Sequence, residues 1–256
     1  MSIQTDMDLE NLNQEFEGEK PEQIIRWAVS QFSGRLTMTS SFGPESGVLL
    51  HMVSCIQPQI PVLFLETGYH FKETLDYKRQ LIELFGLKNV RGLKARPEQK
   101  EQLLNDYQGI PYEKNPDLCC RYNKVEPLQA ALKDYGAWMS GIRRYQTDFR
   151  KSIRIVEAVD DGLYKISPLA NFTSRDAWWY LKENKIPQHP LYEKGYLSIG
   201  CWPCTRPVQQ GDDERTGRWA GKSKKECGIH TFAKGQKPSE EPSKKDKPID
   251  NYQGNI

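Results

Sequence analysis

Two pairs of cysteines are the most chemically distinctive feature of the sequence. Cys119 and Cys120 are adjacent, and Cys201 and Cys204 form a CxxC motif. Thiolates from two such pairs can form one four-thiolate metal site when the fold brings the pairs together. Adjacent residues on a helix point about 100° apart, so the vicinal pair suits the separate irons of a [4Fe–4S] cluster better than one tetrahedral zinc ion. Zinc remains the alternative.

A fifth cysteine, Cys227, stands apart from these pairs in the polar segment KKECGIH. Two lysines and a histidine favour the thiolate, which is the nucleophilic form of cysteine, whereas Glu226 opposes it. Gly228 gives the thiol a flexible, exposed position. The segment therefore predicts a reactive thiol. Cys55 lies on the apolar stripe of a predicted helix instead, and we expect it to pack in the core.

Two further features could bind an anion. The loop SSFGPES at 40–46 follows a predicted strand and precedes a helix, so its hydroxyls, its glycine and the helix N-terminus offer hydrogen-bond donors. It lacks the G-K-[ST] element of a Walker loop. Arginines and lysines cluster at 143–151 and 215–225, and guanidinium groups suit bidentate phosphate or sulfate binding. An ordinary βα turn and a solvated basic surface are the respective alternatives.

Strands and helices alternate along the chain, which predicts an α/β fold with a mostly parallel sheet. Such sheets bind ligands beyond the carboxyl ends of their strands, where the polar turns 40–46 and 66–70 would meet. The predicted strands are 35–39, 62–65, 89–93 and 137–141, with a hairpin of 153–159 and 163–166. The predicted helices are 21–32, 45–56, 71–85, 97–107, 117–133 and 174–183.

Composition and charge limit the class of protein. The 256 residues are 37% hydrophobic and 27% charged, with a net charge of +2, which excludes a strongly basic nucleic-acid coat protein. No apolar run is long enough to span a membrane, and the acidic N-terminus is unlike a signal peptide, so we expect a cytoplasmic protein. Four regions are predicted: a flexible acidic N-terminus (1–20), a nucleotide- and cluster-binding domain (21–207), a mobile segment carrying Cys227 (208–232) and a disordered polar tail (233–256).

Taken together and in this order, the motifs resemble the assimilatory sulfonucleotide reductases, the family of PAPS and APS reductases, over about residues 21–232. Each motif alone is weak, whereas their joint order is specific. The matching pieces are Ser40-Ser41-Phe42-Gly43 with Ser46, Leu65-Glu66-Thr67-Gly68, Cys119-Cys120 with Lys124, Gly141-Ile142-Arg143-Arg144 with Arg150, Pro187 to Tyr192, Cys201 to Pro207, Arg215, Arg218 and Glu226 to His230.

This resemblance implies the adenine-nucleotide α-hydrolase fold, a Rossmann-like sheet with a modified PP-loop. The loop SSFGPES departs from the SGGxDS loop of related ATP pyrophosphatases, as expected when the bound group is a phosphosulfate. The resemblance also implies a [4Fe–4S] cluster on Cys119, Cys120, Cys201 and Cys204 and the branch of the family that reduces adenylyl sulfate (APS). Because no CxxC follows Cys204, free thioredoxin or glutaredoxin is the expected electron donor.

The implied mechanism is nucleophilic. The Cys227 thiolate attacks the sulfate sulfur of APS and expels AMP, and thioredoxin then releases sulfite from the S-sulfocysteine. The expected catalytic residues are Cys227, His230, Lys124, Arg215 and Arg218. The expected substrate-binding residues are Ser40, Ser41, Phe42, Gly43, Ser46, Glu66, Thr67, Gly68, Arg143 and Arg150.

Three alternatives stay open at the level of sequence. The protein could reduce phosphoadenylyl sulfate (PAPS), since an extra phosphate needs only one or two more cations. It could be a PP-loop enzyme that transfers sulfur at the expense of ATP, which the altered loop disfavours. It could be a zinc-stabilised nucleic-acid-binding module, which the near-zero net charge disfavours. We expect neither a nucleic-acid nor a membrane partner, and a homo-oligomer is compatible with the sequence.

Overall fold

A six-stranded sheet forms the centre of the computed structural model, which describes residues 7–160, 162–209 and 211–231. The strands are β1 Leu36–Thr39, β2 Val62–Leu65, β3 Val90–Leu93, β4 Ala137–Met139, β5 Val156–Asp160 and β6 Leu163–Ile166. Their order is β3-β2-β1-β4-β6-β5. The β5–β6 pair is antiparallel and each other neighbouring pair is parallel, so the predicted mostly parallel sheet and its hairpin are confirmed.

The strands β1, β2 and β4 at the centre of the sheet are buried on both faces, as the continuous apolar sequence of β2 predicts for that strand. Successive side chains of a strand point to opposite faces. In β2, Val62 and Phe64 belong to the larger core, whereas Leu63 packs with Trp138 and Leu128 in a smaller core on the other face. Helices therefore cover both sides of the sheet and leave its carboxyl edge for the loops.

The helices predicted from the sequence are present near their expected positions, whereas those over 9–16 and 111–114 were not predicted. The helices are α1 Leu9–Phe16, α2 Pro21–Gln31, α3 Ser46–Ile56, α4 Lys72–Leu84, α5 Pro97–Asp106, α6 Pro111–Lys114, α7 Pro116–Cys120, α8 Glu126–Leu132 and α9 Ser174–Glu183. Within the described ranges, none of these helices is long and apolar enough to cross a membrane.

The helix predicted for 117–133 is present as one unbroken helical segment, but a π-helical turn at Arg121–Val125 lies between α7 and α8. Pro127 lies in the first turn of α8 and has no N–H, so it cannot donate to the carbonyl four residues earlier. The wider turn accommodates one more residue per turn than an α-helix. It carries Lys124, directly after the vicinal cysteines.

The N-terminal region is more ordered than predicted. Residues 1–6 lie outside the described residues, as does the tail 233–256, but α1 is a regular helix capped by Asp8. Phe16 is buried against Trp27. The acidic residues obscured an amphipathic pattern, because the apolar side chains of α1 recur on one face.

Asn13 joins α1 to the edge strand β5. Its side chain is buried, donates to the carbonyl of Val156 at 2.9 Å and accepts from the Val156 N–H at 3.0 Å. One amide side chain therefore satisfies both backbone groups of a residue on the sheet edge, in the manner of an added strand.

We expect Asn13→Ala to lower the free energy of unfolding by about 2 kcal/mol, because it leaves two buried backbone groups without partners. Urea unfolding followed by circular dichroism measures this. Asn11→Ala is the matched control, since Asn11 is exposed and bonds only Asp8. Equal losses in the two variants would contradict the role assigned to Asn13.

Candidate active site

A cavity of about 220 Å³ opens at the carboxyl edge of the sheet, where the loops after β1 and β4 meet the segment that carries Cys227. Ser40, Ser41, Gly43 and Ser46 line it from the β1 loop, and Ser140 and Gly141 from the β4 loop. The other predicted site residues that line it are Lys124, Arg143, Arg150, Cys201, Arg215, Arg218, Cys227 and His230. Residues from distant parts of the chain thus share one space.

The loop after β1 is shaped by its own side chains. The Gly43 N–H donates to Ser46 Oγ at 2.9 Å, and the Phe42 N–H donates to Ser40 Oγ at 3.1 Å. Helix α3 begins at Ser46, so its N-terminus faces the cavity together with the serine hydroxyls. A helix N-terminus and hydroxyl donors suit an anionic group.

Phe42 does not contact the cavity, contrary to its predicted substrate-binding role. Its side chain is fully buried and packs edge-on against Phe64, with ring centroids 5.5 Å apart. Its backbone has φ = 50°, a left-handed conformation that is unfavourable for a bulky residue. Phe42 therefore anchors the loop to the core, and burial of its ring offsets the backbone strain.

Three arginines that line the cavity carry buried donors with no partner among the described residues. Arg143 is buried and pairs with Glu45 through Nη2, but its Nε and Nη1 have no partner among the described residues. The same holds for Nε of Arg215 and Nε of Arg218. Buried N–H groups are rarely left unsatisfied in folded proteins. Their convergence on one cavity indicates an anionic ligand with several oxygen atoms.

Arg150 also lines the cavity, but its guanidinium is engaged by Glu226. Its Nε and Nη2 donate to the two carboxylate oxygens of Glu226, each at 2.8 Å. Arg215 lies 3.5 Å from the same carboxylate. Burial and the nearby Arg150 lower the pKa of Arg215 to about 10, which leaves it charged at neutral pH.

The four predicted metal-ligating cysteines lie together beside this cavity. Cys119, Cys120 and Cys201 are buried and Cys204 is half-buried. Burial and then the neighbouring thiols of Cys120 and Cys201 raise the pKa of Cys119 to about 12, and burial raises that of Cys120 to about 11. Burial also raises the pKa of Cys201, but Lys124 and the Thr67 hydroxyl outweigh it and lower that pKa overall.

This donor set fits an iron–sulfur cluster. In the described ranges, no three or more His, Cys, Asp or Glu side chains are arranged to hold a single metal ion. A single ion requires its ligands to converge on one point, whereas each thiolate of a multi-iron cluster binds a different iron. Four clustered thiols with no carboxylate or imidazole among them are a donor set that suits a [4Fe–4S] centre.

Lys124 lies between the cysteines and the cavity. Burial alone would lower its pKa, but the interactions with Cys201, Cys120 and Cys227 outweigh burial and raise that pKa. Its ammonium therefore stays protonated, and it links the cluster cysteines electrostatically to Cys227. Lys124 lies within the π-helical turn, which changes the direction of its side chain relative to the preceding cysteines.

The segment of residues 211–231 closes over the cavity. Trp219 is buried, and its backbone N–H donates to the Cys204 carbonyl at 3.0 Å. Lys222 donates to the Glu113 carbonyl at 2.7 Å. Lys224 pairs with Asp117 of α7. The mobility expected of residues 208–232 stays a prediction. Polar contacts and Trp219 replace the apolar burial that the segment lacks.

His230 is placed as predicted but is not a cation. It is buried, and its Nδ1 has no partner within the described ranges. Burial and the nearby Arg150, Lys165 and Arg215 lower the pKa of His230 well below its ordinary value. A neutral imidazole can orient an oxygen by a hydrogen bond but supplies no positive charge.

The family follows from a comparison with known proteins. The model of the phosphoadenosine phosphosulfate reductase domain matches residues 35–207, which hold the β1 loop and all four cluster cysteines. The chain belongs to the phosphoadenosine phosphosulfate reductase family. The resemblance expected from the motifs is thereby confirmed.

Individual relatives of this reductase carry both substrate names. An adenosine 5'-phosphosulfate reductase of Chelativorans sp. (strain BNC1) is 43% identical over 211 residues, which are 82% of this chain and 85% of that protein. A phosphoadenosine 5'-phosphosulfate reductase of Gloeobacter violaceus is 42% identical over 228 residues, 87% of this chain and 93% of that protein.

Solved structures confirm the fold. The phosphoadenylyl-sulfate reductase of Candida auris, in a phosphate complex, superposes with a TM-score of 0.67 at 30% identity and covers 79% of this chain and 98% of that one. The FMN adenylyltransferase of Candida glabrata superposes with a TM-score of 0.52 at 16% identity over 81% of this chain and 69% of that one. The second similarity shows the fold alone, that of a PP-loop nucleotide-binding protein.

The tripeptide Glu66-Thr67-Gly68 lies outside the lining of the reductase cavity, although it was predicted to bind substrate. Glu66 sits 3.5 Å from both Lys78 and Lys94. Thr67 is buried, and its Oγ1 lies 3.4 Å from Cys201 Sγ. Thr67 thus supports the cysteine site. The turn follows β2 as predicted, but its side chains point toward the cysteines and the neighbouring strand.

Other residues of the site were missed or misjudged. The lining residues Glu45, Gln146, Glu214 and Trp219 carried no spacing that marks them in the sequence. Cys55 is exposed rather than in the core, 3.6 Å from His51 Nε2. The buried face of helix α3 includes Met52 and Val53 but not Cys55, so the predicted apolar face extended too far toward the end of the helix.

We expect Gly228→Ala to loosen the segment around Cys227. Gly228 has φ = 96°, and a Cβ atom there would lie 3.0 Å from Val125 Cγ2, so both strain and contact oppose a side chain. Hydrogen exchange of residues 211–231 should accelerate, as should alkylation of Cys227. Gly221→Ala is the control, because it imposes the same kind of strain (φ = 78°) with nothing within 4 Å. Equal effects would show that crowding against Val125 is unimportant.

Proposed function

We propose that this protein reduces adenylyl sulfate (APS) to sulfite and AMP in the cytoplasm, with thioredoxin or glutaredoxin as the dithiol donor. The observation that carries the proposal is one cavity lined by the Cys227 thiol, by the modified PP-loop and by arginines that keep some N–H groups without a partner among the described residues. The names of most of the similar relatives support APS as the substrate. The product places the enzyme in sulfate assimilation and cysteine biosynthesis.

The first step is a displacement at sulfur. The Cys227 thiolate attacks the sulfate sulfur of APS, and a bond forms between Sγ and that sulfur. The bond between the sulfur and the bridging phosphate oxygen breaks, and its electron pair leaves with AMP. Because the phosphate of AMP is a good leaving group, no strong general acid is needed. The neutral His230 agrees with this.

The second step reduces the adduct. A donor thiolate attacks Cys227 Sγ, and the bond between Sγ and the sulfo group breaks. The electron pair of that bond leaves with sulfite, so the sulfate sulfur is reduced by two electrons. The donor's second thiol then displaces Cys227 as a thiolate and loses its proton. The donor ends as a disulfide, and the enzyme returns to its starting state.

The first step brings an anionic nucleophile to an anionic substrate, so charge must be neutralised in the cavity. Arg143, Arg215 and Arg218 carry the unpaired donors that would hold the phosphosulfate oxygens. Lys124 lies beside Cys227 and supplies a further cation. Fixed donors of this kind stabilise the charge that develops during displacement without reorganising.

Cys119, Cys120, Cys201 and Cys204 are the residues that would hold a [4Fe–4S] cluster. When bound, the cluster supplies a structural link between the two cysteine pairs and an electrostatic environment for Lys124. Both electrons of the reaction come from the dithiol donor. Lys124 and Thr67 of this chain lower the pKa of Cys201 against the effect of burial, which favours the thiolate form that ligation requires.

PAPS is the second candidate substrate, because relatives of similar identity carry the name phosphoadenosine 5'-phosphosulfate reductase. The distinction rests on whether a cation meets the additional phosphate of PAPS. A side-by-side assay of the two nucleotides with thioredoxin decides it, and we expect the higher kcat/KM with APS.

We expect APS, added without a thiol donor, to leave one sulfo group covalently bound to Cys227. The physical reason is that the adduct is stable until a second thiolate attacks it. Intact-mass measurement and peptide mapping detect the added group. Cys227→Ser should stay unmodified, and Cys55→Ser is the control for an exposed thiol outside the cavity. An unmodified wild-type protein, or an equal adduct on Cys227→Ser, would rule the mechanism out.

We also expect protein purified without oxygen to be brown and to contain about four irons per chain. Cys119→Ser or Cys201→Ser should abolish the absorbance and the iron, because each removes one thiolate ligand. Cys55→Ser should retain both. Stoichiometric zinc without iron in freshly isolated active protein would contradict the cluster and favour the tetrahedral alternative.

A further inference from the structure

Glu226, the residue before Cys227, forms the most completely bonded ion pair of the site. Its side chain is only 10% exposed and that of Arg150 only 7%. Arg150 binds both carboxylate oxygens at 2.8 Å, and the Thr147 hydroxyl donates to Oε1 at 3.2 Å. Arg215 adds a contact at 3.5 Å. Pairing of this bidentate kind fixes direction as well as distance.

The partners of Glu226 come from two parts of the molecule. Thr147 and Arg150 belong to the loop that follows β4, whereas Arg215 belongs to the segment of residues 211–231 that carries Cys227. Glu226 therefore fastens this segment to the sheet at the position next to the thiol. On the other side of Cys227, Gly228 packs against Val125 and His230 is buried.

We propose that Glu226 is a positioning residue that holds the Cys227 thiol in the cavity by its ion pair with Arg150. The inference rests on the proposed function for its chemical consequence, but the ion pair itself does not. In this view Arg150 acts on Glu226 rather than on the substrate, which revises its predicted role. Arg143, Arg215 and Arg218 would then bind the anion, because each keeps at least one N–H group without a partner among the described residues.

The energetics of the buried Glu226–Arg150 ion pair favour a reversible contact rather than a permanent one. Burying two charges costs much of what their attraction returns, so such a pair adds little to global stability. Breaking it by removing one partner is costly, because the other charge stays buried and unpaired. The pair therefore selects one position of the segment without locking it, as a thiol that serves two successive partners requires.

The charge on Glu226 can be removed while its shape is kept. We expect Glu226→Gln to raise the rate at which iodoacetamide alkylates Cys227 and to accelerate hydrogen exchange in residues 211–231. Both measurements need no nucleotide. A Cys55→Ser background removes the exposed thiol that would compete for the reagent. Glu193→Gln is the control, since Glu193 is an exposed glutamate outside the site.

Catalysis should change in a characteristic way. With APS, kcat of Glu226→Gln should fall about 10- to 100-fold, because a small misplacement of a reacting group has effects of that order. The KM for APS should not rise, because the anion-binding arginines remain. Glu226→Asp, which keeps the charge on a shorter side chain, should recover part of kcat. A variant that is merely misfolded would show neither the split nor the rescue.

A double-mutant cycle tests whether Glu226 acts through Arg150. The kcat of Arg150→Gln with Glu226→Gln should be close to that of the worse single variant, since one interaction is lost in all three. Multiplicative effects, or a raised KM in Arg150→Gln alone, would assign Arg150 to the substrate and overturn the proposal. So would unchanged alkylation and exchange in Glu226→Gln. Failure of wild-type protein to form the sulfo adduct would instead reject the proposed function.

Discussion

Five cationic side chains surround one cavity, and the balance of their charge governs the rest of the site. Lys124, Arg143, Arg150, Arg215 and Arg218 all line it. Burial first, and then repulsion from the neighbouring Arg150, lower the pKa of Arg215. The protein balances part of the charge with Glu45, Glu226 and the thiolates beside Lys124. The remaining positive charge is carried by guanidinium groups, some of whose N–H groups have no partner in the described part of the chain.

Each compensating group also does a geometric task. Glu45 opens the first turn of α3 and holds Arg143 against the β1 loop, so one contact orients an arginine and closes a loop. Glu226 does the same for Arg150 and the segment behind it. Because an anion is needed near each cation, the site gains rigidity from the same contacts that reduce its charge. Affinity for an anion and order in the loops are therefore coupled.

The sequence predicted what local patterns determine. The apolar run of β2 is buried on both faces, and the serines after β1 line the cavity, although the Gly43 N–H is engaged by Ser46 Oγ. Local patterns could not predict ion pairs between residues far apart in the chain. Glu226 and Arg150 are separated by 76 residues, and either side chain could equally have faced solvent. Phe42 was misread because a motif marks a loop without saying which of its side chains turns inward. Likewise, the many acidic residues of the N-terminal region concealed the apolar pattern of α1.

The π-helical turn at Arg121–Val125 sets a limit on how this protein can vary in length. Before it, Cys119 and Cys120 must face the other cysteine pair, and after it Leu128 and Leu132 must face the sheet. Each residue of an α-helix rotates the next by about 100°, so losing or gaining one residue here would turn one of these sets away from its partners. Insertions and deletions should therefore be excluded from this helix while exposed turns elsewhere tolerate them. We therefore expect functional related sequences to keep the number of residues between the vicinal cysteines and Leu128 unchanged.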